Sequence, residues 1–154
     1  MHGVHLYVDL DQVIADFDEG YYRAFGTRPS KAPGAVDWAR VAGVANFYQT
    51  LPLMTDALDL WAHVRHRNPI ILTGRPVSVP SAEADKKAWV ARHLGEDVRC
   101  EVTLSAYKWR YAQPGDILVD DWPKYQDLWE RAGGVWITHT SAANSIEQLK
   151  ERGL

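Results

Sequence analysis

Residues 4–11 read Val4-His5-Leu6-Tyr7-Val8-Asp9-Leu10-Asp11, a short apolar run that ends abruptly in two acids. A run this short, closed by polar residues, is the pattern of a strand buried on both faces of a parallel sheet. The same pattern recurs at Pro69 to Leu72, Val98 to Leu104, Asp116 to Val119 and Val135 to Thr138. Helical patterns separate these runs. Thr55 is placed to cap a helix with Leu58, Trp61 and Val64 on one stripe, and Ser81 a second with Ala84, Ala88, Ala91 and Leu94 inward and Gly95 at its end. Pro123 suits the first turn of a third helix, carrying Tyr125, Leu128, Trp129 and Ala132 and stopped by Gly133. Ser141 opens a last one with Ile146 and Leu149. Strands alternating with helices predict a three-layer α/β fold around a parallel five-stranded sheet.

One segment breaks this rhythm. Between about Asp18 and Met54, Gly26, Pro29, Pro33, Gly34 and Gly43 stand among Tyr21, Tyr22, Phe25, Trp38, Phe47 and Tyr48. The pattern predicts an insertion with short helices of its own over the sheet edge: a core of 1–17 and 55–154, and a cap of about 18–54, in one domain. A chain of 154 residues fits one domain. Its 24% charged and 46% apolar or aromatic residues are globular values. The net charge of -3 argues against long nucleic acids as partners, which need a basic face. No apolar stretch is long enough to cross a bilayer and no leader pattern opens the chain. The single cysteine, Cys100, excludes an internal disulfide and a cysteine-rich zinc site, reads as an inert strand residue, and fits a reducing cytoplasm.

Ligands of open α/β sheets bind outside the carboxyl ends of the strands. The first run ends in Asp9-Leu10-Asp11, the second in Thr73-Gly74-Arg75, the fourth in Asp120-Asp121, and Lys108 follows the third. Four carboxylates, a hydroxyl and an ammonium therefore converge on one rim. Crowded carboxylates repel unless a cation joins them. Oxygen-only donors suit magnesium, which needs few protein carboxylates, and Thr73, Lys108 and backbone amides near Leu10 and Gly74 would face a bound anion. Taken singly, each of these motifs is more ordinary: an Asp-x-Asp or Asp-Asp often only caps a helix, and a lone lysine is usually solvated. Their common placement at strand ends is what speaks for a site. The histidines show no metal-ligand spacing, and neither a Gly-x-Ser-x-Gly elbow nor a phosphate-binding Gly-rich loop is present.

Val8-Asp9-Leu10-Asp11, Ile71-Leu72-Thr73-Gly74, Lys108 and Ile117-Leu118-Val119-Asp120-Asp121 together resemble the haloacid dehalogenase superfamily. Within it, Asp9-x-Asp11-x-Val13-x-Ala15-Asp16-Phe17, the segment Phe47 to Leu58, the run Lys87 to Gly95 and the stretch Gly115 to Asp121 resemble the 5'(3')-deoxyribonucleotidases. The likeness covers most of the core but not the insertion, which looks shorter than that family's cap. Gln12 stands where the family usually has glycine, and Gly74-Arg75 follows Thr73 where animal members resemble Thr-Ser. The resemblance implies a phosphatase in which Asp9 attacks phosphorus and Asp11 protonates the leaving oxygen, then activates water. It implies Mg2+ held by Asp9, the Asp11 backbone carbonyl and Asp120, with Asp121 on a metal-bound water, and Thr73 and Lys108 on the phosphoryl oxygens. Phe17 would line a nucleoside pocket closed by Trp38, Phe47 and Tyr48, with Gly74 and Arg75 on the phosphate side. The implied substrate is a small phosphate ester, a nucleoside monophosphate in deoxy form first. Another small phosphoester, a polynucleotide 3'-phosphate, or a non-catalytic nucleotide-binding module are the alternatives. A homodimer is an assembly open to such a chain.

Overall fold

The structure, a computed structural model, describes residues 3–29 and 36–154. Pro33 and Gly34 lie outside the described residues. The strands are β1 (Leu6–Val8), β2 (Ile70–Gly74), β3 (Cys100–Thr103), β4 (Ile117–Asp120) and β5 (Val135–Thr138). The helices are α1 (Phe17–Phe25), α2 (Trp38–Ala42), α3 (Ala57–Val64), α4 (Ala82–His93), α5 (Gln126–Arg131) and α6 (Ala142–Glu151). All strand pairs are parallel, in the order β3-β2-β1-β4-β5. β1 is thus central, with Tyr7 opposite Ile70 on one side and Leu118 on the other. Its residues, like those of β4, are buried throughout, which is why both read as unbroken apolar runs.

The helix faces differ from the sequence expectation in two places. α3 is preceded by Asp56, not Thr55, and buries Ala57, Leu60, Trp61 and Val64, while Leu58 is exposed. α4 is turned further. It buries Ala82, Asp85, Lys86, Trp89 and Val90, and leaves Ala84 and Ala88 exposed. The alanine stripe is weakly apolar, so a tryptophan and a valine on the opposite face outweigh it. Trp89 fixes the turn of the helix by donating its indole N–H to the Leu51 carbonyl at 2.8 Å. α6 is capped as its sequence suggests, Ser141 Oγ accepting from the Asn144 N–H at 3.1 Å. Behind α5, a methyl built on Gly134 would strike the Trp129 indole, whose N–H is held by the Val135 carbonyl at 3.0 Å.

The two ends of the segment 16–54 are tied to each other and to the loop after β1. Asp16 N–H donates to the Pro52 carbonyl at 2.7 Å and Met54 N–H to the Ile14 carbonyl at 2.8 Å. α1 starts on Asp16, whose side chain accepts from the Glu19 N–H, and stops at Gly26, which takes the left-handed φ of 75° that glycine tolerates. Between α1 and α3 the aromatic rings pack on one another. Phe17 lies 5.6 Å from Phe47, 5.8 Å from Trp38 and 6.2 Å from Tyr48, centroid to centroid. No helix among the described residues is long and apolar enough to cross a membrane.

Candidate active site

β1 and β4 are neighbours in register, so the residues that follow their last turns are neighbours as well. Asp9, first after β1, and Asp120 and Asp121, at the end of β4, bring their carboxylates within 4.8 Å of one another. Among the described residues this is the cluster able to hold a metal ion. Lys108 comes from a 3-10 turn, Ser105–Tyr111, directly after β3, and reaches across. Its ammonium donates to Asp9 Oδ1 at 3.0 Å and to Asp120 Oδ2 at 2.8 Å. Backbone groups complete the frame: Leu10 N–H on Asp9 Oδ1 at 2.8 Å and Trp122 N–H on Asp120 Oδ1 at 2.9 Å.

Burial sets the electrostatics. Asp9 is 6% exposed and Lys108 7%. Burial first, then the Asp120 carboxylate, pushes Asp9 well above the usual carboxylate range, and Lys108 offsets only part of this. Asp121 is pushed up to about 6 by burial and by Asp120. Burial alone would lower Lys108, yet the Asp9 and Asp120 carboxylates raise it above the usual lysine value. Fully ionised, the three carboxylates carry more negative charge than one ammonium neutralises, which is why their proton affinities rise, and a divalent cation would offset the difference.

Asp11 points elsewhere. Its carboxylate lies on Lys86, Nζ to Oδ2 at 2.8 Å, and not in the carboxylate cluster. The loop between them turns sharply, Gln12 taking a φ of 63°. Gln12 Oε1 accepts from the Asp18 N–H at 3.0 Å and so ties the loop to α1.

A cleft of about 1250 Å³ opens over these residues. Asp9, Asp11, Lys108, Asp120 and Asp121 form its floor, and Gly74 and Arg75 its rim beside β2. Gly74 backs onto Ser105, whose hydroxyl a methyl at that position would meet. Phe17, Trp38 and Tyr48 form the wall contributed by the insertion. Trp109, Trp122 and Tyr125 also line it, and the sequence did not single them out as site residues. Two expected site residues fall outside the lining. Thr73 is fully buried, its hydroxyl accepting from Lys86 Nζ at 3.1 Å. Phe47 is buried behind Phe17, its ring stacked 6.2 Å from Phe25. Lys86 was missed. A lysine at 1% exposure leaves no mark in a hydrophobic pattern, and only its place one helical turn before Trp89 could have signalled it.

Neither a protein-family model nor a curated protein matches the sequence. Solved structures do. A hydrolase from Streptococcus pneumoniae TIGR4 superposes with a TM-score of 0.54 at 14% identity, over 97% of this chain and 100% of that one. A HAD hydrolase, family IA, variant 3, from Entamoeba histolytica matches at 0.49 and 12% identity, over 96% of this chain and 89% of that one. A HAD family enzyme from Bacteroides thetaiotaomicron, an Asp-to-Ala mutant in complex with magnesium and inorganic phosphate, matches at 0.47 and 12% identity, over 90% and 95%. At such identities the likeness to the streptococcal hydrolase is one of fold.

Proposed function

We propose that this chain is a magnesium-dependent phosphomonoesterase of the haloacid dehalogenase type, working through a phosphorylated Asp9. The observation that carries the proposal is the buried cluster of Asp9, Asp120 and Asp121, bridged by Lys108, on the floor of the cleft. We assign Asp9 as the nucleophile because its buried carboxylate lines the cleft directly after the central strand. Its carboxylate oxygen bonds to phosphorus as the bond from phosphorus to the leaving oxygen breaks, and Asp11 gives that oxygen a proton. In the second half, water bonds to phosphorus, its proton goes to Asp11, and the bond to Asp9 breaks to release inorganic phosphate. Lys108 holds Asp9 in place and faces the phosphoryl oxygens. Asp9, Asp120 and Asp121 would hold Mg2+, with Asp11 contributing its backbone carbonyl, and the ion would supply positive charge against the transferring group.

The substrate we assign is a nucleoside monophosphate, deoxy forms before sugar phosphates. Trp38 supports this, since it is half-buried in the cleft lining and presents aromatic surface a nucleobase can stack against. The chain would act as a cytoplasmic enzyme on small molecules.

The test is phosphate release from a panel of nucleoside monophosphates, sugar phosphates and 3'-phosphorylated oligonucleotides, with and without chelator. Asp9→Asn should abolish turnover in a folded protein, because the amide keeps the shape but is no nucleophile. Near-normal turnover in that variant, or full activity in excess chelator, overturns the assignment.

A further inference from the structure

Exposed aromatic rings collect around the cleft. Trp122 is 50% exposed, and Trp109 and Tyr107 are exposed as well; Trp122 and Trp109 line the cleft and Tyr107 stands beside Lys108 in the chain. Apolar surface left in water in this way marks a place where something else binds. Trp122 directly follows Asp121 and leads into a 3-10 turn, Pro123–Tyr125, with its ring edge-on to Tyr125 at 5.6 Å. Cations are interleaved with these rings. Lys124 Nζ lies 5.1 Å from the Trp122 centroid and 5.4 Å from that of Tyr125, and Arg110 Cζ lies 4.1 Å from the Tyr107 centroid. Elsewhere on the surface Arg23, Arg28, Arg99 and Arg131 pair with carboxylates. Lys124 and Arg110 make no ion pair among the described residues. Rings alternating with cations that no acid neutralises are how sequence-tolerant sites hold single-stranded nucleic acid, the bases stacking and the phosphates meeting the cations.

The cleft is also larger than one nucleotide requires. Its volume of about 1250 Å³ lies above the range of about 300–1000 Å³ for sites that enclose one drug-sized ligand. Its rings have two separate roots. Trp38, in the insertion, packs against the core cluster that contains Val8, whereas the turn after Trp122 leads into α5, whose Trp129 packs with Tyr7. Tyr7 and Val8 are consecutive in β1 and so point to opposite faces of the sheet. Two aromatic groups rooted on opposite faces, sharing one floor of acids, suit two bases.

We infer that Trp122, Lys124 and Tyr125 form a second nucleotide subsite, and that the preferred substrate is the phosphorylated end of a short single strand. The terminal nucleotide lies beside Trp38 with its phosphate on the cleft floor. The neighbouring base stacks on Trp122, and the phosphodiester between the two meets Lys124. This rests on the phosphatase assignment above and extends its nucleoside substrate by one unit; the bond broken is still that of the terminal monoester. The net charge of -3 is no obstacle, since one further phosphate calls for a local cation and not for a basic face.

The test compares a thymidine dinucleotide, phosphorylated at its 5' or its 3' end, with the thymidine monophosphate of the same end. For at least one end the second nucleotide should raise kcat/KM about tenfold, the scale of one stacked base. In Trp122→Ala and in Lys124→Ala that gain should fall below about threefold, while Tyr22→Ala, which removes an exposed ring away from the cleft, should keep it. Circular dichroism checks each fold, and if Trp122→Ala does not fold, the exposed Lys124 carries the comparison. A second nucleotide that brings no gain at either end, or a gain kept in either variant, overturns the subsite. Binding separates this from the phosphatase reading. Thymidine tetranucleotide without a terminal phosphate should quench the tryptophan fluorescence of the wild type, and bind Lys124→Ala at least about threefold more weakly. Quenching without phosphate release from any ester overturns the phosphatase and leaves a strand-binding cleft. Phosphate release without quenching overturns the subsite and leaves the phosphatase standing.

Discussion

Gln12 holds a φ of 63°, a region that costs a non-glycine residue roughly 1–2 kcal/mol. The chain must leave β1 and double back between Asp11 and Val13. Glutamine is kept at that cost because its side chain holds the Asp18 N–H. Gln12→Ala keeps the strain and loses that bond, so it should be destabilised by about 1 kcal/mol. Gln12→Gly loses the same bond but relieves the strain, and should come out about 1 kcal/mol more stable than the alanine variant. Urea denaturation of the pair decides it; an alanine variant as stable as the glycine one would mean that the φ carries no strain. The substrate wall raises a different residue question. Phe17 is 7% exposed and touches Tyr21, Trp38, Phe47 and Tyr48, so truncating it would empty a core as well as a pocket. Trp38 is only half-buried and is the cleaner probe. Trp38→Ala should lower kcat/KM about tenfold for a deoxynucleotide and leave para-nitrophenyl phosphate within about twofold. Equal losses on both would make Trp38 a packing residue and remove the main support for a nucleoside substrate.

At the scale of elements, the strands were legible because burial on both faces leaves an uninterrupted apolar signal. β5 matches its expected span, and β2 runs two residues further than expected, to Gly74. The acids and Lys108 were legible for a related reason, since a strand that ends in carboxylates has no packing use for them. What stayed hidden was the orientation of α4. Its small residues are spaced as an inward stripe, yet Asp85 and Lys86 face inward, because Gln49 Nε2 bonds Asp85 at 2.7 Å and Lys86 has its three acceptors. Tertiary partners of this kind have no local sequence signature. Cys100 shows the converse, a residue whose inertness the sequence anticipated. In β3, burial pushes its thiol up to about 11, so about one molecule in a thousand carries the thiolate at pH 8. Iodoacetamide should label the native protein at least 100-fold more slowly than the urea-unfolded chain. Comparable rates would mean that the edge strand opens freely.

For the whole molecule, the charge deficit on the cleft floor predicts that metal binding and fold stability are linked. A ligand at 100 times its dissociation constant adds about 2.7 kcal/mol. For a chain of 154 residues that corresponds to a rise in Tm of roughly 5–10 °C. Magnesium should produce such a rise in the wild type and little in Asp120→Asn, measured by differential scanning calorimetry. A rise of equal size in both would place the ion elsewhere. The strand order carries a consequence for how the chain is made. β1 lies between β2 and β4, and the bond from His5 N–H to Asp116 closes a separation of 111 residues. The strand that leads to Asp9 is therefore made before the other four and paired on its second side only when β4 arrives. On the ribosome it must wait, apolar and unpaired on one side, until β4 has emerged, and the insertion is made during that wait. Folding should accordingly be slow for its size, since such distant pairings must be closed before they contribute. Nascent chains arrested before Ile117 should remain protease-sensitive and bind chaperones, and those that expose β4 should not.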